Sequence, residues 1–332
     1  MAKEDPASAR PNVPADPSGA RAVPAAESTQ NERNHLHIAS DRYFAREKGN
    51  ESIGGYQELD VALDAEAATL WCYMRPRHAP SITPTILYDF LDLHGTITSG
   101  SILKAQGFNE ALKYYVQGSR VPEIYNLGGD LAFMLDCIRT GNRKALLLYA
   151  HNCVEVVFNI FTGFSRDIVS LALVEGDALG GGFEAALCCN YIIAERKARF
   201  GLPEILFNCF PGMGAYSFLS RRIGPMLTEE IMQNGRIYSA SEMHAMGIVN
   251  QIVENGCAKE AAYDFIASRK PTHTIRNSIC KIRQCVNPIR LDELRSITEL
   301  WVDATLKLSP LDLKTMQRFV SAQQRRLQKL SG

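Results

Sequence analysis

At 332 residues, 46% of them apolar, the chain is long enough to bury a large core, as one big domain with an appendage or as two domains. Thirty-six Lys and Arg balance thirty-six Asp and Glu, so no net field draws in a polyanion or an anionic membrane, and nucleic acid is not an expected partner. Nine cysteines, an odd number without a C-x-x-C pair, suit neither a disulfide framework nor a zinc site and point to a reducing, cytoplasmic setting.

Seventeen of the first 28 residues are Ala, Pro, Ser or Gly, which cannot build a packed face, so residues 1–34 read as a disordered tail. Glu4, Asp5, Asp16 and the prolines argue against a transit peptide. Order is expected from near Leu36, with strands at Leu59 to Leu63 and Thr69 to Met74 and a helix from Thr85 to Leu93 opened by Pro84. Ile124 to Leu127 then reads as a strand, Asp130 to Ile138 and Leu146 to Phe161 as helices, and Ile168 to Val174 as a buried strand. This alternation predicts a layered α/β domain over residues 35–257. That last strand is also the longest strongly apolar stretch, far short of the roughly 20 residues that span a bilayer, and no signal-peptide core follows Met1, so no membrane insertion is expected. From residue 258 to 332 the pattern turns helical. Leu291, Leu294, Ile297, Trp301, Ala304 and Leu308 mark one helix face, and Leu313, Met316, Phe319 and Val320 a second behind Pro310. The basic end at Arg325, Arg326 and Lys329 reads as a solvated helix terminus.

Two glycine turns follow strand-like segments: Asn126-Leu127-Gly128-Gly129-Asp130, and Gly176 to Glu184 with three consecutive glycines. Where a strand ends, glycines allow close backbone approach and a helix begins, unpaired N–H groups converge, which is how an oxyanion hole is built. The second turn lacks the Lys-Ser/Thr of a phosphate loop and the spacing of a dinucleotide fingerprint. Glu184 follows it directly on a short helix expected over Phe183 to Cys189, and Glu204 lies twenty residues later, beyond a strand at Tyr191 to Ala194. Helix, strand and return can bring both carboxylates to one cavity. Each has apolar neighbours, and burial raises a carboxyl pKa toward the range for general acid or base work. G-x-S-x-G is absent, and the seven histidines show no ligand spacing beyond His35 and His37, so neither a metal nor a cofactor is expected.

Together, Gly128-Gly129-Asp130, Ala178 to Glu184, Phe200-Gly201-Leu202-Pro203-Glu204 and Phe210-Pro211-Gly212-Met213-Gly214 resemble the crotonase (enoyl-CoA hydratase/isomerase) superfamily over about residues 55 to 255. More narrowly, Tyr125 to Leu131, Gly181 to Leu187, Pro211 to Phe218 and Leu300-Trp301-Val302-Asp303 resemble its RpfF-type diffusible-signal-factor synthases. The resemblance implies a spiral of ββα units with a C-terminal helical region that packs trimers or dimers of trimers. By position it implies that Gly129 and Gly181 supply the oxyanion N–H donors, that Glu184 and Glu204 form the catalytic pair, and that Leu179, Met213, Trp301 and Phe319 line an acyl pocket. Phe183 stands where common hydratases often carry Cys, a feature the signal synthases share.

For that branch the implied reaction dehydrates a 3-hydroxyacyl thioester on acyl carrier protein to the cis-2-enoyl thioester and then hydrolyses it to the free cis-2-enoic acid. A regulatory sensor protein is an implied partner of some members. Deprotonation at C2 and thioester hydrolysis both build charge on the thioester oxygen, so one oxyanion hole serves both steps. One glutamate is expected to take the C2 proton while the other assists departure of the C3 hydroxyl, with their roles left open. Two alternatives stand beside this: a 2-enoyl-CoA hydratase/isomerase of fatty-acid metabolism acting on CoA thioesters, and a non-catalytic scaffold of the same fold. Both glutamates and both glycine turns argue against the scaffold.

Overall fold

The computed structural model describes residues 50–108 and 110–331; the expected tail at 1–34, the start near Leu36 and the His35/His37 pair lie outside them. Eleven strands are described: β1 (Asn50–Ile53), β2 (Leu59–Asp64), β3 (Thr69–Met74), β4 (Tyr114–Ser119), β5 (Ile124–Asn126), β6 (Val169–Val174), β7 (Asp177–Leu179), β8 (Tyr191–Glu195), β9 (Arg199–Gly201), β10 (Ile237–Ser239) and β11 (Gln251–Val253). The helices are α1 (Pro84–Ser99), α2 (Ser101–Ala105), α3 (Leu131–Arg139), α4 (Arg143–Phe161), α5 (Gly181–Leu187), α6 (Ala215–Ile223), α7 (Pro225–Asn234), α8 (Ala240–Ala245), α9 (Ala258–Arg269), α10 (His273–Val286), α11 (Leu291–Thr305) and α12 (Pro310–Ser331), with short 3-10 turns between some of them.

The strands form two sheets, in the orders β1-β2-β3-β4-β6-β8-β11 and β10-β9-β7-β5. The first three strands of the large sheet run antiparallel, and from β3 onward every pairing is parallel. Each of β4, β6 and β8 hands the chain to a short strand of the small sheet (β5, β7, β9) before it returns, and β5 and β7 lead directly into helices. This is the expected spiral of ββα units with helices gathered at the C-terminal end.

Covering both faces of the large sheet explains its continuous apolar strands. Leu70, Cys72 and Met74 of β3 face the main core with α1 and α4, while Trp71 and Tyr73 face a second cluster closed by Ala262, Phe265 and Ile266 of α9. Strand β4, which sequence pattern alone does not predict, carries Gln117 and Gly118 in its middle. Gln117 is buried and satisfied, accepting from the Tyr115 hydroxyl and donating to that of Tyr125, both at 3.2 Å.

Helix ends follow their caps. Helix α1 runs a turn and a half past the expected Leu93 before Gly100 ends it in the left-handed region, at φ +74°. Helix α4 starts at Arg143 rather than Leu146, because the Asn142 side chain accepts from the Ala145 N–H. Helix α5 begins two residues before Phe183, on the glycines themselves. The buried face of α11 is rotated from the expected one. Thr298, Val302 and Thr305 face inward with Leu294 and Trp301, while Ala304 is exposed.

Candidate active site

The two glycine turns meet. The Cβ position of Gly181 lies 3.5 Å from the Gly129 nitrogen, and a side chain on Gly182 would collide with the Asn126 carbonyl, so glycine is required there for the turns to touch. Gly181 is the first residue of α5, where an N–H has no intrahelical acceptor, and Gly129 immediately precedes Asp130, the N-cap of α3. Among the described residues, neither N–H donates to a backbone carbonyl. Both line one cavity of about 340 Å³.

The first turn is held from three sides. The Gly128 N–H donates to the Asn126 side chain at 2.8 Å, and the Ile82 N–H donates to the Gly128 carbonyl at 2.7 Å. The Tyr149 hydroxyl, buried on α4, donates to the Ile82 carbonyl at 2.6 Å and accepts from the Asp130 N–H at 3.0 Å. The second turn is held through Gly180, whose N–H donates to the Gly201 carbonyl at 2.8 Å, and through Asp177 just upstream. That buried carboxylate takes a two-pronged bond from Arg199, at 2.9 and 2.8 Å, and an ion pair from Arg326 of α12. Of the basic helix end expected in solvent, the Lys329 side chain lies outside the described residues, and the two arginines differ. Arg325 is exposed, but Arg326 crosses back to the strand that feeds the glycine turn, because the buried Asp177 needs positive partners.

Glu184 and Glu204 line the same cavity in unlike surroundings. Glu184, in the first turn of α5, is 2% exposed, and its Oε1 accepts from the Met213 and Ala215 N–H groups at 2.7 and 2.9 Å. Burial pushes its carboxyl up to about 7, against the pull of those two donors toward the ionised form. Glu204 sits in the 3-10 turn Pro203–Phe207 behind β9, its Oε2 shut off from solvent with no hydrogen-bond partner among the described residues. Burial first, and then the Glu184 charge, push its carboxyl up to about 8. The arrangement favours an ionised Glu184 beside a protonated Glu204 near neutral pH.

Leu179, Met213, Trp301 and Phe319, all expected in an acyl pocket, line this cavity together with Met134 and Phe207. Trp301 comes from α11, and Phe319 from α12 packs edge-on against Phe207 at 5.5 Å between ring centres. Sequence pattern missed Tyr149, Gln323 and Arg326. Only Tyr149 carried a signal, as a polar tip on the buried face of α4, and the other two depend on where α12 lands. Among the described residues no group of His, Cys, Asp and Glu could hold a metal, and no helix is long and apolar enough to cross a membrane.

The family model for enoyl-CoA hydratase/isomerase matches residues 118–284, just over half of the chain. The chain belongs to the enoyl-CoA hydratase/isomerase family. Within this crotonase superfamily it is similar to the crotonyl-CoA hydratase of Syntrophomonas wolfei, 32% identical over 127 residues that cover 38% of this chain and 46% of that protein. It is also similar to the peroxisomal bifunctional enzyme of Danio rerio, 42% identical over 110 residues, 33% of this chain and 15% of that one. The chain thus spans less than half the length of these curated relatives. Among solved structures, human mitochondrial delta3-delta2-enoyl-CoA isomerase superposes with a TM-score of 0.66 at 20% identity, covering 83% of this chain and 100% of that one. Pseudomonas aeruginosa DspI superposes at 0.56 and 20% identity, over 77% and 95%. At such identities the likeness of family members is one of fold.

Proposed function

We propose that the cavity is an acyl-thioester site for reversible water addition or removal across C2–C3, with Glu184 as the base and Glu204 as the group that holds and delivers the proton. The observation that carries this reading is the asymmetry of the pair: two backbone donors from a later loop stabilise charge on Glu184, while Glu204 has its own backbone N–H as a lesser support, an unpartnered Oε2, and that charge facing it. In the dehydration direction Glu184 removes the C2 proton, and the electrons move onto the thioester oxygen beside the Gly129 and Gly181 N–H groups. The C3–O bond then breaks as Glu204 protonates the departing hydroxyl, releasing water. Preorganised donors at a developing oxyanion are worth roughly 3 kcal/mol each in a dry site. The name of the Syntrophomonas wolfei relative and that of the matching family support a CoA thioester as the substrate and the hydratase/isomerase form of this chemistry.

A second reading is the RpfF-type one, a synthase of a cis-2-unsaturated quorum-sensing fatty acid that dehydrates a 3-hydroxyacyl carrier-protein thioester and then hydrolyses it. What favours it is the motif resemblance together with the closing of the cavity by Trp301 and Phe319 from the C-terminal helices, which makes a dry end for a hydrocarbon chain. A homotrimer is supported by Ile275, Ile279, Ile282 and Val286, an apolar stripe on α10 of which each residue is 59–71% exposed. Among the described residues no surface marks a sensor protein.

Incubation with 3-hydroxyacyl-carrier protein and with the matching CoA ester, followed by mass spectrometry, separates the readings. Reversible hydration of the CoA ester alone supports the hydratase. Free cis-2-enoic acid from the carrier-bound substrate establishes the synthase. No turnover of either contradicts both.

A further inference from the structure

Helix α12 presents two opposite faces. Phe319, Gln323 and Arg326 line the acyl cavity, with the Gln323 side chain donating to the Leu127 carbonyl at 3.2 Å. Across the helix, about 10–12 Å away, Lys314, Arg318 and Arg325 join Arg139 from the end of α3 around a second, open cleft of about 570 Å³. All four cations are exposed, and no carboxylate lines the cleft. Among the described residues none of the four forms an ion pair, whereas Arg326 on the other face does. Lys314 and Arg318 are one turn apart on the helix, a spacing at which like charges repel. In a chain whose total charge is zero, this local excess is an unpaired charge pattern awaiting a complement. Leu313 and Pro310 place apolar surface beside the charges, a mixture suited to a protein face.

We propose that the basic face of α12 and the end of α3 dock an acidic acyl-carrier protein. The site rests on the carrier-thioester reading given above. Arg325 stands next to Arg326 and one turn from Ala322, both on the cavity wall, so the basic face begins where that wall ends. A carrier seated there delivers its thioester arm over the edge of the helix into the cavity. A CoA ester also carries anionic phosphates but lacks a protein face, so the two substrates separate a carrier surface from a phosphate site.

The test is the charge-reversed variant Lys314→Glu/Arg318→Glu, which leaves every cavity residue in place. Binding of a fluorescently labelled holo-acyl-carrier protein is measured, together with kcat and KM for a 3-hydroxyacyl-carrier protein and for the matching CoA ester. The expected result is a rise of about tenfold or more in Kd and KM for the carrier, with kcat and both CoA constants unchanged. Carrier binding to the wild-type protein is also expected to weaken as salt rises. Unchanged carrier binding in the variant overturns the docking surface while leaving the carrier reading intact. Equal losses on both substrates assign these residues to the substrate's phosphates or to the fold rather than to a carrier surface, and overturn it as well. A wild-type protein that turns over the CoA ester but neither binds the carrier nor uses its thioester ends the carrier reading and the docking surface together.

Discussion

The two glycine turns that face each other across the cavity are secured by different chemistry. The Gly128-Gly129 turn hangs on neutral hydrogen bonds from Asn126, Tyr149 and the Ile82 backbone. The Gly180-Gly181 turn is fixed by backbone pairing to Gly201 and, upstream, by a buried aspartate between two guanidinium groups, one of them on the C-terminal helix. The first turn is thus anchored mainly within the spiral core, and its bond to α12 is a neutral one, from the Gln323 side chain to the Leu127 carbonyl. The second ties the proposed oxyanion hole to α12 by charge, through Arg326. Damage to the two turns should therefore be read out differently, the first in rate and the second in the stability and docking of α12.

The largest effects fall on the carboxylates that both turns serve. Glu184→Gln and Glu204→Gln are each expected to lower kcat on the order of 100-fold or more, with folding intact, in a steady-state assay on the preferred thioester. Next comes the charged turn. The double variant Arg199→Ala/Arg326→Ala leaves Asp177 buried without a cation and should cost about 3 kcal/mol in a denaturant titration. Arg326→Ala alone, with Arg199 still in place, should cost about 1 kcal/mol and increase proteolysis of α12. The neutral turn follows. Tyr149→Phe leaves the Asp130 N–H and the Ile82 carbonyl short of a partner, a loss of about 1–2 kcal/mol, expected mainly in kcat because the donors it positions act on developing charge. Smallest for the protomer is Ile279→Glu on the exposed α10 stripe. It should change stability by less than about 0.5 kcal/mol yet lower the mass seen by light scattering from that of a trimer; an unchanged mass would remove the stripe from the interface.

Legibility in the sequence tracked whether a signal was local. Strand β3 matched its expected bounds, and β2 ran one residue further, because their apolar runs are long and bounded by turns. The three-residue strands of the small sheet are too short for periodicity to register, and β4 is masked by Gln117, whose burial is satisfied only by tyrosines elsewhere. The pairing of Glu184 and Glu204 was legible as a helix, strand and return of twenty residues. The proposed division of labour between them was not, since it rests on N–H groups of Met213 and Ala215 that arrive from a later loop. Arg326 read as solvated because its partner Asp177 lies 149 positions away. The inward face of α11 departs from its apolar stripe for a related reason: the Thr305 hydroxyl meets the Cys209 thiol at 3.4 Å, a polar contact outside apolar periodicity.

The division of roles between the two glutamates is tested most directly by the pH dependence of kcat/KM in the wild-type protein and in Glu204→Gln. Raised to about 7, Glu184 gains activity as a base when pH rises through that value; raised to about 8, Glu204 loses its proton, and with it activity as an acid, above that value. The wild-type profile should be a bell with limbs belonging to the coupled pair near those values. The variant should keep the rising limb and lose the falling one. A variant that retains the alkaline fall, or loses the acid limb instead, would contradict the assignment of Glu184 as base and Glu204 as acid.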